Sequence, residues 1–234
     1  MRCLLAVVAV AALLATAASA KPVHVQANTY DFLMMVYQWP PNVCATEATA
    51  HNCVIPADSH LFTIHGLWPS RNDTTYPQSC CSSCSFNATA VQDLLPQLNQ
   101  YWPNLFAEEA ATDFWSHEYL KHGTCATDVA SLDTEHSFFA TTLGLSRQLN
   151  VDAAFAKLKP STTTGYSLAT VQAAIKAYFG AEGYLTCETY KGQQLVTGFG
   201  LCVTKNNFAV FQCDPRVYGE NSCKSTSDLF FLPF

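Results

Sequence analysis

Cysteine number and placement constrain this chain more than any other feature. It holds 11 Cys in 234 residues, and one of them, Cys3, sits in what reads as a cleavable leader. Met1 and Arg2 precede an apolar run from Leu4 to Leu14, and Ala18-Ser19-Ala20 offers a small-x-small exit site. This is the charge, length and exit pattern of a secretory signal peptide over residues 1–20. A membrane anchor fits less well, because the run falls short of the roughly 20 apolar residues a span needs. No later stretch is long and apolar enough to span.

Removal of the leader leaves residues 21–234, enough for a single domain with a sizeable core. It also leaves ten cysteines, an even number: Cys44, Cys53, Cys80, Cys81, Cys84, Cys125, Cys187, Cys202, Cys213 and Cys223. In an exported chain these imply up to five disulfides. A zinc site at Cys81-x-x-Cys84 is an alternative, but no second closely spaced ligand pair accompanies it. Sequons at Asn72-Asp73-Thr74 and Asn87-Ala88-Thr89 mark candidate glycosylation sites.

Hydrophobic patterning divides the domain. Residues 31–39 (DFLMMVYQW) and 61–68 (LFTIHGLW) predict strands, the second ending at Pro69. Helical periodicity follows over 91–101, 113–122, 135–149 and 168–179. Residues 184–190, 194–203 and 208–213 predict strands again. Polar stretches at 74–85 and 161–165 read as internal connections. Strands, then helices, then strands imply an α+β fold with a largely antiparallel sheet.

Two stretches carry chemistry. In Phe62-Thr63-Ile64-His65-Gly66-Leu67-Trp68-Pro69, strand alternation sends Phe62 and Ile64 to the core and His65 to the other face. One such histidine is, by itself, more often structural than catalytic. The second stretch is Phe114-Trp115-Ser116-His117-Glu118-Tyr119-Leu120-Lys121-His122-Gly123-Thr124-Cys125. On a helix, Lys121, Glu118 and His122 lie about 40°, 100° and 140° around from His117, with Phe114 inside the same arc. Gly123 is expected to end the helix and Cys125 to tether it. A zinc-hydrolase reading needs histidines four apart on one face. Here they are five apart with a lysine between, which suits one ion poorly.

Two histidines, a lysine and a carboxylate suit RNA cleavage by the 2′-hydroxyl. One imidazole takes the hydroxyl proton, another protonates the leaving 5′-oxygen, and a cation stabilises the crowded phosphorus.

Both stretches resemble the signature segments of the T2 family of ribonucleases, above all its acidic, plant S-like branch. The resemblance runs from Tyr37-Gln38-Trp39-Pro40-Pro41-Asn42-Val43-Cys44 through both segments to Cys187, Cys202, Cys213, Cys223 and residues 230–234. It implies that His65 is the general acid and His122 the general base, with His117 holding phosphate. Glu118 and Lys121 would then act at phosphorus, and Gln38 and Phe114 would contact a base. Trp68 and Trp115 would pack the site. The implied products are 2′,3′-cyclic phosphates and then 3′-phosphates, formed without metal or other cofactor. The resemblance also implies the pairs Cys44–Cys53, Cys80–Cys125, Cys187–Cys223 and Cys202–Cys213, leaving Cys81–Cys84 as the remainder. Two features depart from the family pattern. Tyr119 replaces a tryptophan, which should alter packing only, and the Cys80-Cys81-x-x-Cys84 cluster is unusual.

Charge narrows the substrate. The chain is net −6, and loss of Arg2 takes it to about −7. Proteins that hold long nucleic acids electrostatically are normally basic. The expectation is therefore that the protein grips only a few nucleotides of single-stranded RNA and works at acid pH. It is also expected to be a monomer, and the leader and cysteines imply an extracellular or vacuolar/lysosomal destination. A pollen-rejection relative would usually be basic. A relative kept for binding, storage or defence would not need all five ionisable groups.

Overall fold

A computed structural model describes residues 29–57, 62–73, 75–212, 214 and 222–234. The leader, Leu61, Thr74 and Cys213 fall outside them. Five strands form one sheet: β1 (Phe32–Gln38), β2 (Thr63–Ser70), β3 (Tyr184–Tyr190), β4 (Gln193–Val203) and β5 (Leu229–Phe230). Their spatial order is β2-β1-β4-β3, antiparallel throughout, with β5 added parallel to β4. The helices are α1 (Pro40–Glu47), α2 (Leu95–Tyr101), α3 (Ala111–Lys121), α4 (Glu135–Leu149), α5 (Val151–Phe155) and α6 (Leu168–Phe179). The fold is α+β, as the patterning implies.

Every residue of central strand β1 is buried, which is why its sequence is an unbroken apolar run rather than an alternating one. Its two faces nevertheless differ. Leu33, Met35 and Tyr37 sit opposite Val203, Leu201 and Phe199 and join the main core against the helices. Phe32, Met34 and Val36 form a second, smaller cluster with Tyr184 and Cys202. On that second face β4 presents Gly198 and Gly200, where a Cβ would strike the Thr186 hydroxyl and the Tyr184 ring.

Helix boundaries follow local capping. Thr134 accepts from the Ser137 N–H at the start of α4, and left-handed Asn150 (φ 47°) ends it. Ser167 and left-handed Gly180 (φ 73°) do the same for α6. For α3, Asp113 accepts the Ala110 N–H at 3.1 Å.

Four expectations need correction. The helix expected over 91–101 is a 3₁₀ segment, Ala88–Leu94, followed by α2, which has Pro96 in its first turn. Pro69 lies inside β2 rather than after it; β2 is an edge strand, where one side of the ladder is open and Pro is tolerated. No strand forms over 208–212; Phe208 adopts φ 55°, and Val210 makes only an isolated bridge to Val203. Gly123 does not cap α3 in the left-handed conformation. It opens a 3₁₀ turn, Gly123–Cys125, and its missing Cβ leaves room for Tyr119 and Phe138.

Disulfides join Cys44 to Cys53, Cys80 to Cys125, Cys81 to Cys84 and Cys187 to Cys223. Cys202 is also disulfide-bonded, while Cys213, its partner by resemblance, lies outside the described residues.

Candidate active site

The strand histidine owes its position to a register break. Val36 pairs with Gly66, and the next residue, Tyr37, pairs with Ile64, so His65 has no partner on β1. This is a β-bulge, which bends a strand and re-aims a side chain. Before it Phe62 and Ile64 face the core; after it Leu67 does. Gly66 and Trp68 are thereby turned to the same side as His65. The bulge carbonyl is not wasted, because Trp102 Nε1 donates to His65 O at 2.9 Å. Trp115 of α3 in turn donates to the Trp102 carbonyl at 2.7 Å, linking the His65 strand to the helix of His117 and Glu118 through two indoles.

Helix α3 lays its ionisable groups against that bulge. Glu118 is fully buried; its Oε2 accepts from Trp68 Nε1 at 2.8 Å. Its Oε1 has no hydrogen-bond partner and lies 3.6 Å from His65 Nε2 and 4.0 Å from His117 Nε2. Gly66 permits this approach, since a Cβ there would lie 2.0 Å from Glu118 Oε2. His122, the C-cap of α3, is 3 % exposed and stacks on Trp68 at 4.9 Å. Trp68 also meets the His65 ring edge-on at 5.2 Å, so one indole contacts both imidazoles and donates to the carboxyl as well.

The electrostatics follow from burial and from a local excess of positive groups. His65, packed between Trp68 and Phe114, is pushed down to about 4, by desolvation first, then by His117 and Lys121. His122 is pushed down to about 3 by desolvation, then by Lys121, His117 and His65. His117, more than half exposed, is lowered by desolvation and Lys121, against a raising influence from Glu109. Burial raises Glu118 to about 8, outweighing the Trp68 hydrogen bond and Lys121. Between pH about 4 and about 8 the free site thus holds His65 and His122 as neutral imidazoles and Glu118 as a neutral carboxylic acid.

A cavity of about 430 Å³ opens beside these groups, lined among others by Gln38, His65, Phe114, His117, Glu47 and Glu109. Gln38 and Phe114 therefore adjoin His65, whose ring Phe114 meets at 5.6 Å. On the other side the exposed Tyr76 ring stands 6.4 Å from His122. Tyr119 packs on Phe138 and Phe139, away from these groups. Asn72 and Asn87 are both exposed. Trp102 and Tyr76 escaped the reading of the sequence. Tyr76 lies in a polar connection without periodicity, and nothing in Trp102-Pro103 signals a bond 37 positions upstream.

Comparison with known proteins gives one answer. The Ribonuclease T2 family model matches residues 30–213. The chain is 32% identical over 210 residues to Ribonuclease Oy of Magallana gigas, covering 87% of this chain and 97% of that one. It is 35% identical over 217 residues to Ribonuclease DdI of Dictyostelium discoideum, covering 91% and 92%. Among solved structures, RNase NT in complex with 5′-AMP superposes with a TM-score of 0.76 at 28% identity, covering 88% of this chain and all of that one.

Proposed function

Since this chain belongs to the ribonuclease T2 family and is an endoribonuclease, we propose that it cleaves single-stranded RNA without metal, by transphosphorylation across the His65–Trp68–His122 stack. His122, neutral, takes the proton from the 2′-hydroxyl. The 2′-oxygen attacks phosphorus, and His65, protonated, delivers its proton to the departing 5′-oxygen. The product is a 2′,3′-cyclic phosphate, which water opens to a 3′-phosphate with the two histidines exchanging roles. His117, the most exposed of the three, holds a phosphoryl oxygen. Lys121 supplies positive charge to the pentacovalent phosphorus. Glu118, kept neutral by burial, offers Oε1 as a hydrogen-bond donor to another phosphoryl oxygen, the use a protein can make of a carboxylic acid that stays protonated. Gln38 and Phe114 receive a base in the adjoining cavity.

The observation that carries this reading is the shared indole. Trp68 contacts both imidazoles and donates to Glu118, so that acid, base and a third proton-bearing group are tied together through one side chain. The carboxylates of Glu47 and Glu109 in the cavity lining disfavour further phosphates, which fits a short footprint on RNA. The leader and the disulfides fit export, and exposed Asn72 and Asn87 fit glycan attachment. Among the described residues no helix is long and apolar enough to cross a membrane.

Cleavage of RNA in excess chelator, followed across pH with product analysis, tests the proposal. Activity requires His65 protonated and His122 neutral, so kcat/KM should fall as pH rises through about 4 and as it drops through about 3. Bound phosphate favours both protonated imidazoles, so the limbs of kcat should lie at higher pH than those of kcat/KM. Loss of cleavage in chelator, restored by a divalent ion, or direct release of 3′-phosphates with no cyclic intermediate, would overturn it.

A further inference from the structure

The segment Cys80-Cys81-Ser82-Ser83-Cys84 carries two disulfides with different tasks. Cys80 is bonded to Cys125 across 45 positions, and both cysteines are buried. Around that bond Ser79 donates its N–H to the Lys121 carbonyl at 2.8 Å, and Cys80 donates its own to Thr124 Oγ1 at 3.2 Å. The loop is thereby held along the end of the helix that carries His117, Glu118, Lys121 and His122, and Tyr76, four residues earlier, stands beside His122.

Cys81–Cys84 differs in each respect that governs reactivity. It spans 3 positions and so restrains the unfolded chain far less than its neighbour does. It joins no two elements: the Cys84 N–H returns to the Cys81 carbonyl within one turn. Cys84 is exposed, as are Ser82 and Ser83 between the pair, whereas Cys81 is buried next to Cys80. Thiol–disulfide exchange depends on which sulfur can be reached and on what leaves. Here an external thiolate reaches Cys84, and the sulfur released is the one beside the tether.

We propose that Cys81–Cys84 is a thiol–disulfide exchange site through which a dithiol reductant displaces the Cys80–Cys125 tether and switches the ribonuclease off. One thiolate of the reductant attacks Cys84 Sγ; a mixed disulfide forms, the Cys81–Cys84 bond breaks, and Cys81 leaves as thiolate. The reductant's second thiolate attacks its own sulfur in the mixed disulfide and releases Cys84 as thiolate. Two electrons have passed to the protein, and the reductant departs as a disulfide. The Cys81 thiolate, shielded from solvent and one peptide unit from Cys80, then attacks Cys125 Sγ. A Cys81–Cys125 bond forms, and Cys80 departs as thiolate and takes a proton from water. The tether has slipped by one residue. The Ser79–Lys121 and Cys80–Thr124 hydrogen bonds cannot both survive that slip, and Tyr76 is displaced from His122.

The test treats the intact oxidised protein with increasing dithiothreitol at neutral pH. Samples are alkylated, mapped by mass spectrometry and assayed on RNA in parallel. Cys84 should be labelled before any other cysteine, and a Cys81–Cys125 linked peptide should accumulate as activity falls. The double variant Cys81→Ser/Cys84→Ser, with its tether intact and no internal attacker, should start with ordinary activity and lose it about tenfold more slowly. Equal inactivation rates in the two proteins, or labelling of Cys80 and Cys125 ahead of Cys84, would overturn the proposal. Should the double variant not fold, the order of labelling and the presence or absence of the Cys81–Cys125 peptide in the unsubstituted protein decide the matter.

Discussion

The two faces of the sheet are made by the same strands and do opposite things. Toward the helices β4 offers Phe199, Leu201 and Val203, each fully buried in the main core. Toward the cavity it offers Gly198 and Gly200, which let Tyr184 and Thr186 lie across the strand. Strand β2 shows the same division, with Phe62, Ile64 and Leu67 on one side and His65, Gly66 and Trp68 on the other. One face gains stability from apolar area removed from water. The other holds a buried carboxyl, a buried imidazole and a half-buried one, polar groups whose burial costs stability. The lesson is that folding and catalysis are separable here by residue parity along a strand.

The sharpest break of that comparison sets Phe199→Ala against His65→Ala and His122→Ala. Each histidine substitution should lower kcat by about 10²–10⁴-fold with the melting temperature nearly unchanged. Phe199→Ala should cost about 3–5 kcal/mol of stability while the folded fraction keeps its turnover. Calorimetry and single-turnover kinetics on the three variants separate the effects. A substrate with an activated 5′-leaving group should partly rescue His65→Ala and not His122→Ala. Equal rescue would exchange the acid and base roles.

Gly66→Ala tests the site face from the backbone. Its new Cβ would fall 2.0 Å from Glu118 Oε2 and 2.4 Å from Trp68 Nε1, so the carboxyl and indole must move. We expect turnover to drop by about 10²-fold, comparable to other small misplacements of catalytic groups. A variant with wild-type kcat would show that Glu118 can sit elsewhere without consequence.

Gln38→Ala and Phe114→Ala should alter selectivity more than turnover. An aromatic platform for a base is worth about 1–3 kcal/mol. Cleavage ratios across dinucleotides report it, and unchanged ratios in folded variants would remove both residues from base contact.

Glu118→Gln gives the smallest and most specific readout, in stability. Burial raises this carboxyl to about 8 from an ordinary value of 4.5. Between those pH values the folded chain keeps a proton that the unfolded chain has released, so stability declines as pH rises through that window. The variant should lose this decline and melt above the wild type at pH 8, with the gap closing toward pH 4.5. The histidines act with the opposite sign. Held to about 4 and 3 when folded, His65 and His122 bind protons more readily unfolded, so stability also declines as pH falls from 6.5. Acid conditions therefore weaken the fold through these two histidines.

What the sequence disclosed depended on range. Period-two alternation assigned His65 to the face away from the core, and α4, α6 and β3 begin and end at the expected residues because Thr134, Asn150, Ser167 and Gly180 mark the two helices locally. The arc of α3 brought His117, Glu118, Lys121 and His122 together for the same reason. Long-range partners were not legible. Trp102 bonds a carbonyl 37 positions away, and Trp68 bonds a carboxyl 50 positions away; in isolation both are merely large apolar residues. Helix α1 was missed because its Pro40-Pro41-Asn42 start lacks an amphipathic repeat; Asn42 instead clamps the C-terminal segment through Val196, Phe230 and Leu232. The 208–213 stretch reads as a strand by composition, but the left-handed Phe208 turns the chain out of the ladder.

The bulge at His65 also bears on how activity can be lost. Excising His65 would bring Ile64 and Gly66 into direct succession opposite Tyr37 and Val36, and the ladder would close without a gap. Ile64 and Leu67 would still point inward, since regular alternation then places them on one side. His65 is in this sense an extra link in a chain that is complete without it. A one-codon deletion at this position should yield a folded, disulfide-bonded, inert protein rather than a misfolded one, whereas the same deletion at Ile64 or Leu67 should send the chain to degradation. Inactive descendants of such an enzyme have an easy route into existence, and their sequences would show a one-residue gap at this position.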